Sequence, residues 1–117
     1  MHATVISIGD ELLSGDCVDT NAAWLCRMLL EHGVQVDAVH QVGDDEDHIA
    51  EVLCEAAEST QCVIASGGLG PTPDDLTRAG LANAFDGGVL ESDSNARDWI
   101  RHRLNVLGVE AKNVSDM

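Results

Sequence analysis

"CVIASGGLGPTPDDLTRAGLANAF", residues 62–85, holds a strand signal, a bare loop and a helix signal in succession. Cys62 to Ser66 is a short apolar run that stops at glycine, the pattern of a buried strand. From near Pro73 to about Phe85 the sequence predicts a helix, with Thr72 placed to cap it and Pro73 suited to its first position. Between the two, Gly67, Gly68 and Gly70 lack side chains, so backbone N–H groups there can come close to a ligand. A bare loop in front of a helix N-terminus is an anion site, typically for phosphate. The plainer reading is a tight strand-to-helix turn, with Thr72 and Asp75 as a capping box. The loop is not a P-loop, since no GK[ST] follows, and it lacks the third glycine of a dinucleotide fingerprint.

Asp74 and Asp75 sharpen the functional reading. A carboxylate beside a phosphate repels it unless a cation lies between them. Mg²⁺ prefers one or two carboxylates completed by phosphate oxygens and water. A glycine loop followed by acids therefore points to a metal-bridged phosphate or pyrophosphate. The alternative is that one aspartate caps the helix and the other is solvated.

Moving outward, the same strand–loop–helix unit recurs. "ATVISIG", residues 3–9, reads as a buried strand. Residues 20–33 place Trp24, Leu25, Met28 and Leu29 at helical spacing, with Asp19 or Thr20 as cap and Gly33 as stop. Residues 34–42 alternate and read as a strand. Residues 43–60 read as an amphipathic helix with Ile49, Val52, Leu53, Ala56 and Ala57 on one face and acids at its start. "GGVL", 87–90, reads as a short strand or turn. Residues 92–108 read as a last helix, capped by Ser92 or Asp93 and stopped at Gly108. Alternation of this kind argues for an α/β fold, a mainly parallel sheet with helices on both faces. Ligands of such sheets sit outside the carboxyl ends of the strands. The loops leaving those ends, residues 9–19, 43–47 and 66–75, are all rich in Gly and Asp.

In the second loop Asp44 directly follows its strand and is placed to face the same cleft, while Asp45, Glu46 and Asp47 read as helix capping. In the first loop Asp10 is a candidate for contacting a ribose or a ligand ring nitrogen. Asn21 is placed to hydrogen-bond a neighbouring loop. The histidines show no ligand spacing, and no Ser or Cys is paired with a His base.

The totals narrow the classes. The 117 residues suffice for one domain, and the formal charge is −15, from 21 acids against 6 bases. Such a surface repels nucleic acid and anionic membranes, so neither is expected as a partner. Lys112 is the single lysine; acid excess with lysine depletion matches a protein of a high-salt cytoplasm, and the alternative is a protein that is simply acidic. No apolar run nears the ~20 residues that cross a bilayer. "MHATVISIGDE" lacks the basic n-region of a signal peptide, so a cytoplasmic location is expected. The 4 cysteines form no CxxC pair, and free thiols are expected.

The three loops together resemble one family. "IGDELLSGDCVDTN" (8–21), "VGDD" (42–45) and "GGLGPTPDDLTRAGLANAF" (67–85) are similar to the molybdopterin-binding (MoaB/Mog-like) domain, in the version at the N-terminus of the competence/damage-inducible CinA proteins. The likeness runs through nearly the whole chain, and the GGLGPTxDDxT string is long. It implies a three-layer α/β/α domain with a cleft for a phosphorylated pterin or nucleotide. It implies that Asp44 and Asp75 hold Mg²⁺ or another divalent metal, with Asp74 as a further ligand or base. Gly67, Gly68 and Gly70 would bind phosphate, with Thr72 and Thr77 supplying hydroxyl contacts. The activity implied is metal-dependent hydrolysis of ADP-ribose or a similar nucleotide. The alternatives are molybdopterin binding or adenylyl transfer to it, and a binding module without turnover. The resemblance implies a homo-oligomer, dimer or trimer. It also implies that residues 1–117 form a single domain lacking its C-terminal portion, since the family continues through a further Gly/Pro-rich loop that helps close the cleft.

Overall fold

A computed structural model of the chain describes residues 1–85, 87 and 90–108. Three strands form one parallel sheet: β1 (His2–Ile8), β2 (Gln35–Val42) and β3 (Cys62–Ser66), in the order β2-β1-β3. β1 lies in the middle, with Ile8 beside Val42 on one side and Ser7 beside Ser66 on the other. Its six residues from Ala3 to Ile8 are all buried, which is why "ATVISI" reads as an almost unbroken apolar run. β2 and β3 flank it and are less covered. Every residue of β3 is half-buried, which corrects the expectation of a fully buried strand: among the described residues it has a neighbour on one side only.

The helices are α1 (Asp10–Leu13), α2 (Thr20–Glu31), α3 (Glu46–Ser59), α4 (Thr77–Phe85) and α5 (Ser94–Val106). α2 packs on β1 and β2, and α3 packs on β1 and β3. The chain leaves β1 toward one edge and then passes over it to the other. Right-handed crossovers in opposite directions put α2 and α3 on opposite faces, giving the α/β/α layering. The core gathers Ile6, Ile8 and Val42 from the sheet against Ile49, Val52, Leu53 and Ala56 of α3. Ala57 was expected on this face but is exposed, and Ala50 is buried instead. α4 lies against α3, and Gly80 permits the approach, since a Cβ there would overlap the Ile49 side chain.

Asp19 caps α2 by accepting the Ala22 N–H, Asp45 caps α3 through His48 N–H, and Asp93 caps α5 through Ala96 N–H. α2 keeps one exposed side: Trp24 is 54% and Leu30 72% exposed. α5 buries none of its residues. Of the "GGVL" stretch, Gly88 and Val89 lie outside the described residues.

Two local expectations are corrected. The first loop is not all irregular: Asp10–Leu13 winds into a single helical turn, closed by Ser14 N–H on the Asp10 carbonyl at 3.0 Å. And α4 begins at Thr77, not near Pro73. Residues 72–75 close a separate turn, with Asp75 N–H on the Thr72 carbonyl at 3.0 Å. Thr72 therefore does not cap α4 and Pro73 is not its first residue.

Candidate functional site

The three loops meet at the carboxyl edge of the sheet. The first and second are tied by a reciprocal pair. Asp44 N–H donates to Asp10 Oδ1 at 2.9 Å, and Asp10 N–H donates to Asp44 Oδ2 at 3.2 Å. Gly43 makes room for this clasp, because a Cβ there would stand 2.7 Å from Asp10 Oδ1. The third loop is pressed onto the end of β1. Gly67 has φ +90°, and a Cβ there would overlap the Ile8 carbonyl oxygen, so only glycine fits.

Thr77 fixes the loop from behind. Its buried side chain donates to the Gly67 carbonyl at 2.6 Å, while its N–H reaches the Gly68 carbonyl at 3.2 Å. Thr77 thus shapes the loop. Asp75 folds back along it: its Oδ2 accepts the Thr72 hydroxyl at 2.6 Å and the Thr72 N–H at 3.1 Å. The Thr72 hydroxyl, foremost, and then the N–H groups of Thr72 and Gly70 and the Arg78 charge hold the Asp75 carboxyl below its ordinary value, against a desolvation effect second only to the Thr72 hydroxyl. Asp74 is exposed. Arg78 donates to the Gly70 carbonyl at 3.2 Å, closing the loop from its other end. Asp45 caps α3, and Asp47 of its first turn accepts the Asn83 amide at 3.2 Å.

A cavity of roughly 190 Å³ opens between β1, β3 and the start of α2, lined by Ser7, Asp19, Asn21 and Gly67 among others. It lies at the β1/β3 boundary, where the chain's connections run off in opposite directions; such a switch point is where open α/β sheets bind ligands. Burial disfavours the charge on Asp19, but the neighbouring Ser7 hydroxyl, the Ala22 N–H and the Gln41 amide together hold its carboxyl below the ordinary value. Asn21 lines the cavity, and the tie from α2 to the second strand is made instead by Gln41 to Asp19, at 3.5 Å. Ser7 and Asp19 line this cavity, and neither stood among the candidate site residues of the sequence. The available signal was a serine inside the apolar run of β1; Asp19 was absorbed by its capping role.

Among the described residues no three His, Cys, Asp or Glu side chains gather as a metal cage. Asp44 accepts the Asp10 N–H through Oδ2, whereas Asp75 accepts both the hydroxyl and the N–H of Thr72 through Oδ2 and the Gly70 N–H besides. An ion of the Mg²⁺ type, carried mainly by phosphate oxygens and water, needs only one or two carboxylates.

These features define a class. The chain matches the family described as "Probable molybdopterin binding domain" over residues 4–114, and it belongs to that family. Within the family it is of CinA type. It is 46% identical to a CinA-like protein of Frankia casuarinae over 108 residues, 92% of this chain and 25% of that protein. It is 48% identical to a CinA-like protein of Citrifermentans bemidjiense over 100 residues, 86% of this chain and 24% of that protein. The chain spans about a quarter of the length of these curated relatives. The crystal structure of CinA from Thermoplasma acidophilum superposes with a TM-score of 0.83 at 40% identity, covering 89% of this chain and 61% of that one. The molybdopterin biosynthesis enzyme MoaB of Thermus thermophilus superposes at 0.64 with 21% identity over 96% of this chain and 66% of that one, a likeness of fold. No helix of the described residues is long and apolar enough to cross a membrane.

Proposed function

We propose that this domain binds a nucleotide pyrophosphate, ADP-ribose or a close relative, and hydrolyses it with the help of a divalent metal. The observation that carries the reading is the pairing of a bare, pinned Gly67–Gly70 loop with a carboxylate, Asp75, folded onto its far end. The loop offers N–H groups to phosphate oxygens, and Asp75 supplies a carboxylate at its far end that would hold a divalent cation. The Asp10–Asp44 clasp supports the same reading by fixing a second carboxylate at this edge of the sheet.

Asp44 and Asp75 would hold the metal, which when bound lowers the charge on the pyrophosphate and acidifies water. N–H groups of the loop stabilise the charge that grows on the phosphate oxygens as water adds to one phosphorus. The bond from that phosphorus to the bridging oxygen breaks, and the electron pair leaves with the second phosphate. Asp74, exposed beside the turn, accepts the proton released by water. ADP-ribose gives AMP and ribose 5-phosphate.

Release of AMP from ADP-ribose tests this, with Mg²⁺, Mn²⁺ or Co²⁺, at low and multimolar salt, in the parent and in Asp75→Asn. Metal-dependent release that the variant loses is expected. No release from folded parent protein overturns hydrolysis by this domain.

A second reading, molybdopterin binding or adenylyl transfer to molybdopterin, is favoured by the description of the family matched over residues 4–114. It uses the same loop for a pterin phosphate, and fluorescence of a copurified pterin would separate it from the nucleotide reading. A pure binding module would change only its affinity in Asp75→Asn. Assembly as a dimer or trimer, and a cytoplasmic location, belong to the same proposal.

A further inference from the structure

α2 is apolar on two sides. Ala22, Leu25, Cys26 and Leu29 share one face, with Ala22 buried and the others half-buried, where the helix packs on β1 and β2. Ala23, Trp24, Arg27, Leu30 and Glu31 recur three and four residues apart on the other side and are all exposed, Trp24 at 54% and Leu30 at 72%. A helix apolar all round belongs inside a fold, not on its surface. Val39 extends the patch. It stands on the α2 side of β2, since Gln41, two residues on, reaches Asp19 at the cap of α2, and it is 47% exposed.

The patch is also nearly free of charge. The chain carries 21 acids and a net charge of −15, yet α2 holds one acid, Glu31, and one base, Arg27. Net charge of that size keeps copies of a protein apart, so they meet at least cost through a neutral face. A single arginine gives the patch little to offer nucleic acid or an anionic membrane. Its two charges are self-complementary. Arg27 and Glu31 lie about one turn apart, so two α2 helices packed antiparallel about a two-fold axis bring Arg27 of each copy toward Glu31 of the other. An axis passing between Arg27 and Met28 also sets Trp24 of each copy against Leu30 of the other.

We infer that the exposed side of α2, with Val39 beside it, is the surface through which two copies of this chain associate, the helices antiparallel. This narrows the proposed assembly to a two-fold dimer and uses nothing of the ligand reading. One helix and the strand beside it make a small interface, so a dimer that dissociates in the micromolar range is expected.

Sedimentation equilibrium tests this on the parent, Trp24→Glu, Leu30→Glu, Arg27→Glu and the exchange Arg27→Glu/Glu31→Arg. Protein concentrations run up to about 1 mM, in about 0.1 M and 1 M KCl. The substituted side chains are all exposed, so the variants keep the core and are expected to melt with the parent; Leu30→Glu carries the test alone should Trp24→Glu unfold. A parent dimer weakened about thirty-fold or more by Trp24→Glu and by Leu30→Glu is expected. Arg27→Glu should weaken it too, and the exchange should restore it, because antiparallel pairing re-forms both cross pairs with their signs reversed. Raising KCl should tighten the parent dimer, since screening relieves the repulsion between two copies of charge −15. A monomer throughout, a trimer, a dimer that Trp24→Glu and Leu30→Glu leave intact, or one that loosens with KCl overturns the inference. A dimer lost in Arg27→Glu and not regained in the exchange overturns the antiparallel pairing. AMP release fails separately: hydrolysis by a monomeric parent would remove the dimer and leave the ligand reading, and a dimer without hydrolysis would do the reverse.

Discussion

Asp10 and Asp44 exchange hydrogen bonds across the sheet edge, each carboxylate accepting the other's backbone N–H, at 2.9 and 3.2 Å. The two residues are 34 positions apart and close the first loop onto the second. Each carboxylate has a second oxygen left over. The clasp therefore sets the position of Asp44 without consuming it.

This relationship predicts an asymmetry between substitutions. Asp10→Asn keeps an oxygen for Asp44 N–H and should change stability little. Asp10→Ala removes that acceptor and should cost about 1 kcal/mol, the usual worth of one hydrogen bond. Urea unfolding of the two variants would show the difference. Equal losses would mean that the charge of Asp10, not its geometry, holds the loops together.

Gly67 and Gly15 both have positive φ, +90° and +82°, but differ in surroundings. A Cβ at Gly15 meets nothing within 4 Å, whereas one at Gly67 overlaps the Ile8 carbonyl oxygen. Gly15→Ala should cost only the left-handed backbone penalty of about 1–2 kcal/mol. Gly67→Ala adds a clash with main chain that cannot move aside, a further ~1–3 kcal/mol. Thermal unfolding should rank Gly67→Ala clearly below Gly15→Ala.

Much of this was readable in the sequence, for identifiable reasons. β1 and α3 carry strong periodic or unbroken apolar patterns because the core is built from them, and both were found near their observed limits. The loops at the carboxyl edge were found because Gly and Asp cluster there. The start of α4 was misplaced because "PTPDD" satisfies every local rule for a helix entry, while the Asp75 carboxylate turns back to Thr72 and ends that turn before Thr77. No sequence rule weighs that competition.

Asp75 gives stability a defined acid limit. Its folded-state carboxyl lies below the ordinary value of 3.8. Its contribution is therefore complete above the unfolded-state value and is lost as pH falls from 3.8 through the lower folded-state value. Asp19 acts in the same direction. The urea midpoint of the parent should drop across this acid window, and Asp75→Asn should drop less. Parallel pH profiles for parent and variant would refute the assignment.

The charge of −15 makes a prediction about salt. Glu51, Glu55 and Glu58 are all exposed on α3, spaced four and three residues apart, so neighbouring carboxylates on one helix face repel each other. Raising KCl from about 0.1 M to 1 M shortens the screening length from ~10 Å to ~3 Å. The melting temperature should therefore rise with KCl. Glu55→Lys turns two repulsions into attractions, with Glu51 four residues N-terminal to the new lysine in the favourable orientation. It should stabilise the protein by about 0.5–1 kcal/mol at low salt and by much less at 1 M, where both repulsion and attraction are screened. A melting temperature that stays flat or falls with KCl would show that self-repulsion does not limit this fold, and would remove the physical basis for a high-salt origin. A gain from Glu55→Lys that persists undiminished at 1 M would point instead to helix propensity or packing.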